Sequence, residues 1–293
     1  MIGVSAEPNL SPPEPAHLAE RGDWSDLGAR IASGLVLALG GLAAAWYGGP
    51  WFAGACGAAV VIMSYEWARM SEPEALVPAF AFALAGSLGA VLFASWLLLW
   101  PGVAWLTLCS CASALRRKSL VGAFETAGGA IYVGLPAAVL LWLREDTPHG
   151  LQIVLALFAI IWSADIFAYF GGKLLGGPRI ARGLSPNKTW SGIVTGVIAG
   201  GAAGLACASL FQADQIRFAW LAIGALIAFT GLMGDLFESF LKRRFGVKDA
   251  SRVIPGHGGV LDRIDGLMAA TLLVGATLAF GPHVGEILFG SAL

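Results

Sequence analysis

The sequence predicts an all-α, polytopic integral membrane protein of about nine transmembrane helices with a cytoplasmic N-terminus. Three observations carry that expectation. First, the 293 residues are 57% hydrophobic and only 13% charged, with a mean hydropathy of +0.74; a soluble domain would carry about 25% charged residues. Second, apolar runs long enough to span a bilayer, roughly 17–25 residues each, recur from Arg30 to the C-terminus. Third, the basic residues fall on one side of that series. The net charge of −1 provides no global field for nucleic acid, so no nucleic-acid partner is expected and any basic surface must be local.

Residues 1–28 read as a flexible polar tail, with Pro8, Pro12, Pro13 and Pro15 and no apolar stretch. They lack the basic-then-apolar design of a cleavable signal peptide, so the first span is expected to serve as an uncleaved anchor. Apolar runs between polar or Gly/Pro breaks then place spans at 29–47, 50–69, 76–94, 96–115, 120–143, 150–171, 189–211, 217–241 and 263–288. Residues 29–149 form the N-terminal transmembrane helices, and residues 150–293 the C-terminal transmembrane region expected to hold the chemistry.

The join between spans three and four has no charged residue, and Pro101 could instead kink one long segment. The basic residues decide for two spans. With nine spans, every Lys and Arg except Arg144 and Arg217 lies on the N-terminal side. Merging spans three and four would carry Arg69 and both upstream cations across and destroy that segregation. The positive side faces the cytoplasm. Cys56, Cys109, Cys111 and Cys207 lie inside apolar runs without metal-type spacing and read as packing residues.

The charge that remains is concentrated. Between Asp235 and Asp265, Lys242, Arg243, Arg244, Lys248, Arg252 and Arg263 meet Asp235, Glu238, Asp249, Asp262 and Asp265, with His257 between them. Charge at a membrane boundary is costly and usually functional. Asp235, Glu238 and Ser239 share one helical face, which Lys242 continues a turn later; Asp262 and Asp265 share another. If the loop folds back, Asp235 and Asp262 can clamp one hard cation, and magnesium suits carboxylates that also accept phosphate oxygens. The turn at Pro255-Gly256-His257-Gly258-Gly259 permits close backbone approach to an anion. Lys242, Arg243, Lys248 and Arg263 would neutralise phosphate.

A second basic, glycine-rich loop follows Asp165, an acid inside an apolar run and therefore a candidate site residue. Ser185-Pro186-Asn187-Lys188-Thr189 opens span seven; Ser185 is expected to cap that helix, and Lys188 with the first-turn amides to attract phosphate. Glu66 and Glu125, also near span ends, carry no assigned role.

The run from Ser239, Lys242 and Arg243 through Lys248, Asp249, Ser251, Ile254, Pro255, His257, Gly258 and Gly259 to Asp262, Arg263 and Asp265 resembles the signature of phosphatidate cytidylyltransferases. Gly234-Asp235-Leu236-x-Glu238, Asp165-x-x-Ala168-Tyr169-x-x-Gly172 and Ser185-Pro186-x-Lys188-Thr189 resemble that family's pattern too. The motif similarity covers roughly residues 163–266; the N-terminal half is similar only in hydropathy. One departure is Ser191, where many members carry an acid or amide.

The resemblance implies transfer of CMP from CTP to phosphatidic acid, giving CDP-diacylglycerol and pyrophosphate in phospholipid biosynthesis. It implies catalysis by Asp235, Asp262, Asp265, Lys242 and His257, with Mg2+ on Asp235 and Asp262 and room for a second cation. Asp165, Ser185, Lys188, Ser239, Arg243, Lys248, Gly258, Gly259 and Arg263 would bind substrate. It further implies a bacterial-type inner membrane, an active site at the cytoplasmic face, direct access from the lipid bilayer, and a homodimer. The alternatives are a CTP-dependent kinase of a membrane lipid alcohol, which would release CDP, and an ion-coupled transporter, for which an internal repeat is missing.

Overall fold

The computed structural model describes residues 24–181, 183–211, 218–251, 253 and 258–281, with side chains from residue 33 onward except Pro186. Among the described residues the chain is built from α1 (Trp24–Tyr47), α2 (Gly49–Ser71), α3 (Leu76–Ser95), α4 (Leu99–Leu115), α5 (Leu120–Glu145), α6 (Gly150–Leu175), α7 (Trp190–Leu210), α8 (Ala219–Arg244) and α9 (Leu261–Phe280). A short 3-10 turn, Pro73–Ala75, precedes α3.

Six of these, α3 with its leading turn and α5 to α9, are long and apolar enough to cross a membrane. The chain is an all-α integral membrane protein. The described apolar part of α1, Ser33–Tyr47, and α4, at 17 residues, are shorter. In α2 the apolar run is interrupted by Glu66, which is buried and bonded within the protein.

The division between α3 and α4 is a true chain reversal. Leu97 takes a left-handed φ of 61° between the two helices, and they pack against each other. Pro101 sits in the first turn of α4 rather than at a kink, where its missing N–H leaves no helical bond unmade.

The C-terminal helices pack through glycine. On α7, Gly192, Gly196, Gly200 and Gly204 recur every fourth residue and so share one face. A Cβ at Gly192 or Gly196 would lie 2.8 Å from the carbonyl oxygens of Ala168 and Ala164 on α6. At Gly200 and Gly204 it would press on Ala228 and the Trp220 carbonyl of α8. Without side chains in the way, the backbones of α6, α7 and α8 close on one another. Gly231 and Gly234 do the same for α8 against α9, at Gly266 and Asp265.

The N-terminal half joins this unit through aromatic contacts. Trp67 of α2 meets Tyr132 of α5 at 5.6 Å and Phe245, just past α8, at 5.4 Å; Tyr132 meets Phe237 of α8 at 5.8 Å. One hydrophobic core therefore runs through both halves.

The loop between α6 and α7 holds the departure from an all-helical plan, a small antiparallel hairpin of β1 (Arg179–Ala181) and β2 (Ser185–Thr189). Ser185 does not cap α7, contrary to the sequence expectation. It lies on β2, and the cap is Thr189, whose Oγ1 accepts from the Gly192 amide at 3.1 Å. Pairing with β1 keeps the chain extended through Thr189, so the helix begins later than the Ser-Pro step suggests. Ser191 then bonds the Gly176 carbonyl and lies 2.9 Å from the Thr189 hydroxyl, tying both ends of the hairpin loop together.

Candidate active site

Alternating helices bring the ends of α6 and α8 beside the starts of α7 and α9. There a cleft of about 640 Å³ opens. Asp165, Tyr169 and Lys173 line it from α6, Ser185, Asn187 and Lys188 from β2, Gly192 from α7, Asp235 from α8, and Asp262, Arg263 and Asp265 from α9. The two charged loops, separated by a whole helix pair in sequence, are thus one site.

Asp235 and Asp265 line the cleft and the buried Glu238 lies beside them; each of the three places a carboxylate oxygen within 4.8 Å of the others. Asp235 and Glu238 lie one turn apart on α8, and the glycine contact at Gly234 brings Asp265 of α9 beside them. Glu238 is 1% exposed and Asp265 8%. Three carboxylates so close repel one another unless cations compensate, and their oxygens suit a hard divalent ion such as magnesium.

Two lysines flank the cluster. Lys188 Nζ lies 2.6 Å from Asp235 Oδ2, an ion pair that connects the hairpin to α8. Lys242 Nζ lies 2.6 Å from both Glu238 Oε2 and Asp262 Oδ1.

Asp262 is differently engaged from Asp265. Its Oδ2 accepts from the amides of Ala250 at 3.1 Å and Gly259 at 2.9 Å, while Oδ1 takes Lys242. Asp262 therefore ties the α8–α9 loop to the end of α8, and among the described residues the clustered acids are Asp235, Glu238 and Asp265 rather than Asp235 and Asp262. Sequence spacing identified Asp262 and Asp265 as sharing a face, but not that Asp262 meets Lys242 while Asp265 meets Asp235 and Glu238.

Of the residues singled out from sequence, Asp165, Ser185, Lys188, Asp235, Asp262, Arg263 and Asp265 line the cleft. Lys242 sits behind it in the two ion pairs just described. Arg243 bridges the loops, donating to the carbonyls of Leu184 and Val247 at 3.4 Å each. Ser239 is half-buried, and Lys248 is exposed on the loop after α8. Gly258 has a φ of 84°, a conformation that glycine adopts without strain. At Gly259 a Cβ would come 2.7 Å from Glu66 Oε1 and would push that carboxylate from its place. His257 lies outside the described residues.

Sequence reasoning gave no role to Glu66. It reaches from α2 into the α8–α9 loop, where Val260, Leu261 and Ser251 all donate to its carboxylate. Glu125, the other unassigned acid, pairs with Arg244 at 2.9 Å.

Comparison with known proteins agrees with the motifs and extends them. The model of the cytidylyltransferase family matches residues 28–280. A phosphatidate cytidylyltransferase of Brucella suis biovar 1 (strain 1330) is 39% identical over 274 residues, 91% of this chain and 99% of that protein. One from Brucella abortus biovar 1 (strain 9-941) is 40% identical over 272 residues, 90% and 99%. One from Pseudomonas aeruginosa (strain PAO1) is 36% identical over 268 residues, 85% and 96%. The similarity therefore runs through the N-terminal half, well beyond the stretch of roughly residues 163–266 that the motifs alone delimit.

Proposed function

We propose, since the chain belongs to the cytidylyltransferase family, that it transfers CMP from CTP to phosphatidic acid, forming CDP-diacylglycerol and pyrophosphate. The observation that carries this reading is the cleft itself. Carboxylates able to hold a divalent ion and cations able to hold phosphate converge at one end of apolar helices.

A lipid phosphate oxygen attacks the α-phosphorus of CTP, the bond from that phosphorus to the β-bridging oxygen breaks, and pyrophosphate leaves with the electron pair. The nucleophile is already anionic near neutral pH, so no strong general base is required. The barrier is the meeting of two polyanions, and positioning with charge neutralisation supplies most of the catalysis.

Asp235, Glu238 and Asp265 would hold Mg2+, with room for a second cation. When bound, the metal neutralises phosphate charge and orients phosphate oxygens. Lys188 from β2 and Arg263 from α9 grip phosphates, and Asp165 organises the nucleotide side. Lys242 holds Glu238 and Asp262 in register, while Arg243 keeps the two loops together. His257, Gly258 and Gly259 shape the anion pocket, and Ser239 and Lys248 extend the polar rim.

The same reading takes all nine helices as spans, in a bacterial-type inner membrane, with the N-terminus and the cleft at the cytoplasmic face. The segregation of basic residues supports it. Phosphatidic acid then enters sideways with its acyl chains still in the bilayer. Residues 29–149 act as scaffold, 150–293 as the catalytic region, and two copies assemble as a homodimer.

The test is incorporation of labelled CTP into lipid by purified protein in detergent, with phosphatidic acid, with and without Mg2+. The expected result is Mg2+-dependent CDP-diacylglycerol with one pyrophosphate per product. Release of CDP with a lipid alcohol as acceptor would overturn the assignment in favour of a kinase. Absence of nucleotide turnover by folded protein would overturn it altogether.

A further inference from the structure

Glu66 is fully buried, at 0% exposure, on a helix remote in sequence from the cleft. Among the described residues no cation pairs with it. Its charge is instead met by donors. Oε1 accepts from the Val260 amide at 3.0 Å and from the Ser251 hydroxyl, and Oε2 accepts from the Leu261 amide at 2.8 Å. These amides open α9, and Val260, the residue at the cap position, provides no side-chain acceptor of its own. An uncapped helix start leaves amides without partners. Here a carboxylate from another helix supplies them, and its negative charge lies at the positive end of the α9 dipole.

The three consecutive amides of Gly259, Val260 and Leu261 thus find carboxylates, the first from Asp262 and the others from Glu66. Gly259 leaves space for the Glu66 carboxylate, and Ser251 fixes the far end of the same loop by also accepting from the Val253 amide at 3.2 Å. Asp262 lies in the turn that Glu66 caps, and Asp265 follows directly after it.

We infer that Glu66 is a positioning residue for the active site. It fixes the start of α9 and the preceding loop, so that Asp262 holds Lys242 and Asp265 meets Asp235 and Glu238. The N-terminal half contributes this residue to the catalytic region. The inference rests on the cytidylyltransferase reading for its activity arm and on the fold alone for its structural arm.

The experiment compares Glu66→Gln, Glu66→Asp and Ser251→Ala with the unaltered protein, and uses Glu72→Gln as a control. Glu72 is also buried on the α2 side, but it pairs with Arg116 and Arg117. Glu66→Gln is expected to lower kcat by about 10–100-fold, as loss of a supporting shell does. The KM for CTP should change less than about threefold, because the cleft walls stay in place. Glu66→Asp, which keeps the charge, should recover part of that loss, and Ser251→Ala should lose less than Glu66→Gln.

Hydrogen exchange at residues 258–266 should quicken about 10-fold or more in Glu66→Gln while α6 and α7 exchange as before. Glu72→Gln should lower the melting temperature and leave kcat per folded protein unchanged. Unchanged kcat and unchanged exchange in folded Glu66→Gln would overturn the inference. So would a loss of activity matched by a fall in folded fraction, as for the control. If the unaltered protein makes no CDP-diacylglycerol, the functional reading fails, while the exchange arm still decides whether Glu66 holds the start of α9.

Discussion

Glu66 and Glu238 are equally buried, at 0% and 1% exposure, yet their surroundings differ in kind. Around Glu66, at the start of α9, three donors meet one carboxylate, with no cation paired to it among the described residues. Around Glu238, Lys242 is the one paired cation among the described residues and is shared with Asp262, and two further carboxylates crowd the same space. In the first region each oxygen of the carboxylate has a donor from the protein itself. The second gains most from an incoming positive charge, since a buried carboxylate without compensation is strongly disfavoured. One turn of α9 separates the two, and the contrast divides the part that holds the loop from the part proposed to meet the phosphates.

Breaking the incomplete region should therefore have the largest effect. Asp265→Asn removes one of the three clustered carboxylates while keeping the side-chain shape. Its kcat for CDP-diacylglycerol formation should fall by about 1,000-fold or more, on the scale of losing a main charge-stabilising group, with the melting temperature unchanged or raised. A variant retaining a tenth of the normal rate would erase the distinction. Glu66→Gln should fall between this and a surface change, because it acts through the position of α9.

At the small end, Glu125→Gln breaks the pair with Arg244, whose side chain is 43% exposed. Exposed pairs contribute at most about 1 kcal/mol. Activity should be unchanged, and the shift in thermal unfolding should stay within that limit. A large loss would mean that the end of α8 needs Glu125 as α9 needs Glu66.

The helices were legible because each is a long apolar run bounded by polar or Gly/Pro breaks, and hydropathy separates most of them. Even the weakest division, α3 from α4, followed from keeping Arg69 and the two upstream cations, Arg21 and Arg30, on the side of the other basic residues. The charged loops and their acids were legible because charge is rare elsewhere.

What was hidden depends on contacts across the fold. Glu66 bonds residues 194 and 195 positions away, and nothing near it in sequence signals a partner. The cap of α7 passed from Ser185 to Thr189 because β1 pairs with the intervening residues, a choice local propensity does not contain. Glu238 stood on the same predicted face as Asp235. That Asp265, and not Asp262, completes the cluster depends on how closely Gly234 lets α8 and α9 approach.

The most direct measurement is Mn2+ binding, as a stand-in for Mg2+, followed by electron paramagnetic resonance on the unaltered protein, Asp265→Asn and Asp262→Asn. If Asp235, Glu238 and Asp265 form the cation site, the protein binds Mn2+ specifically, Asp265→Asn loses that binding, and Asp262→Asn retains most of it. Binding that survives in Asp265→Asn and disappears in Asp262→Asn would contradict this account and return the metal to the Asp235–Asp262 pair.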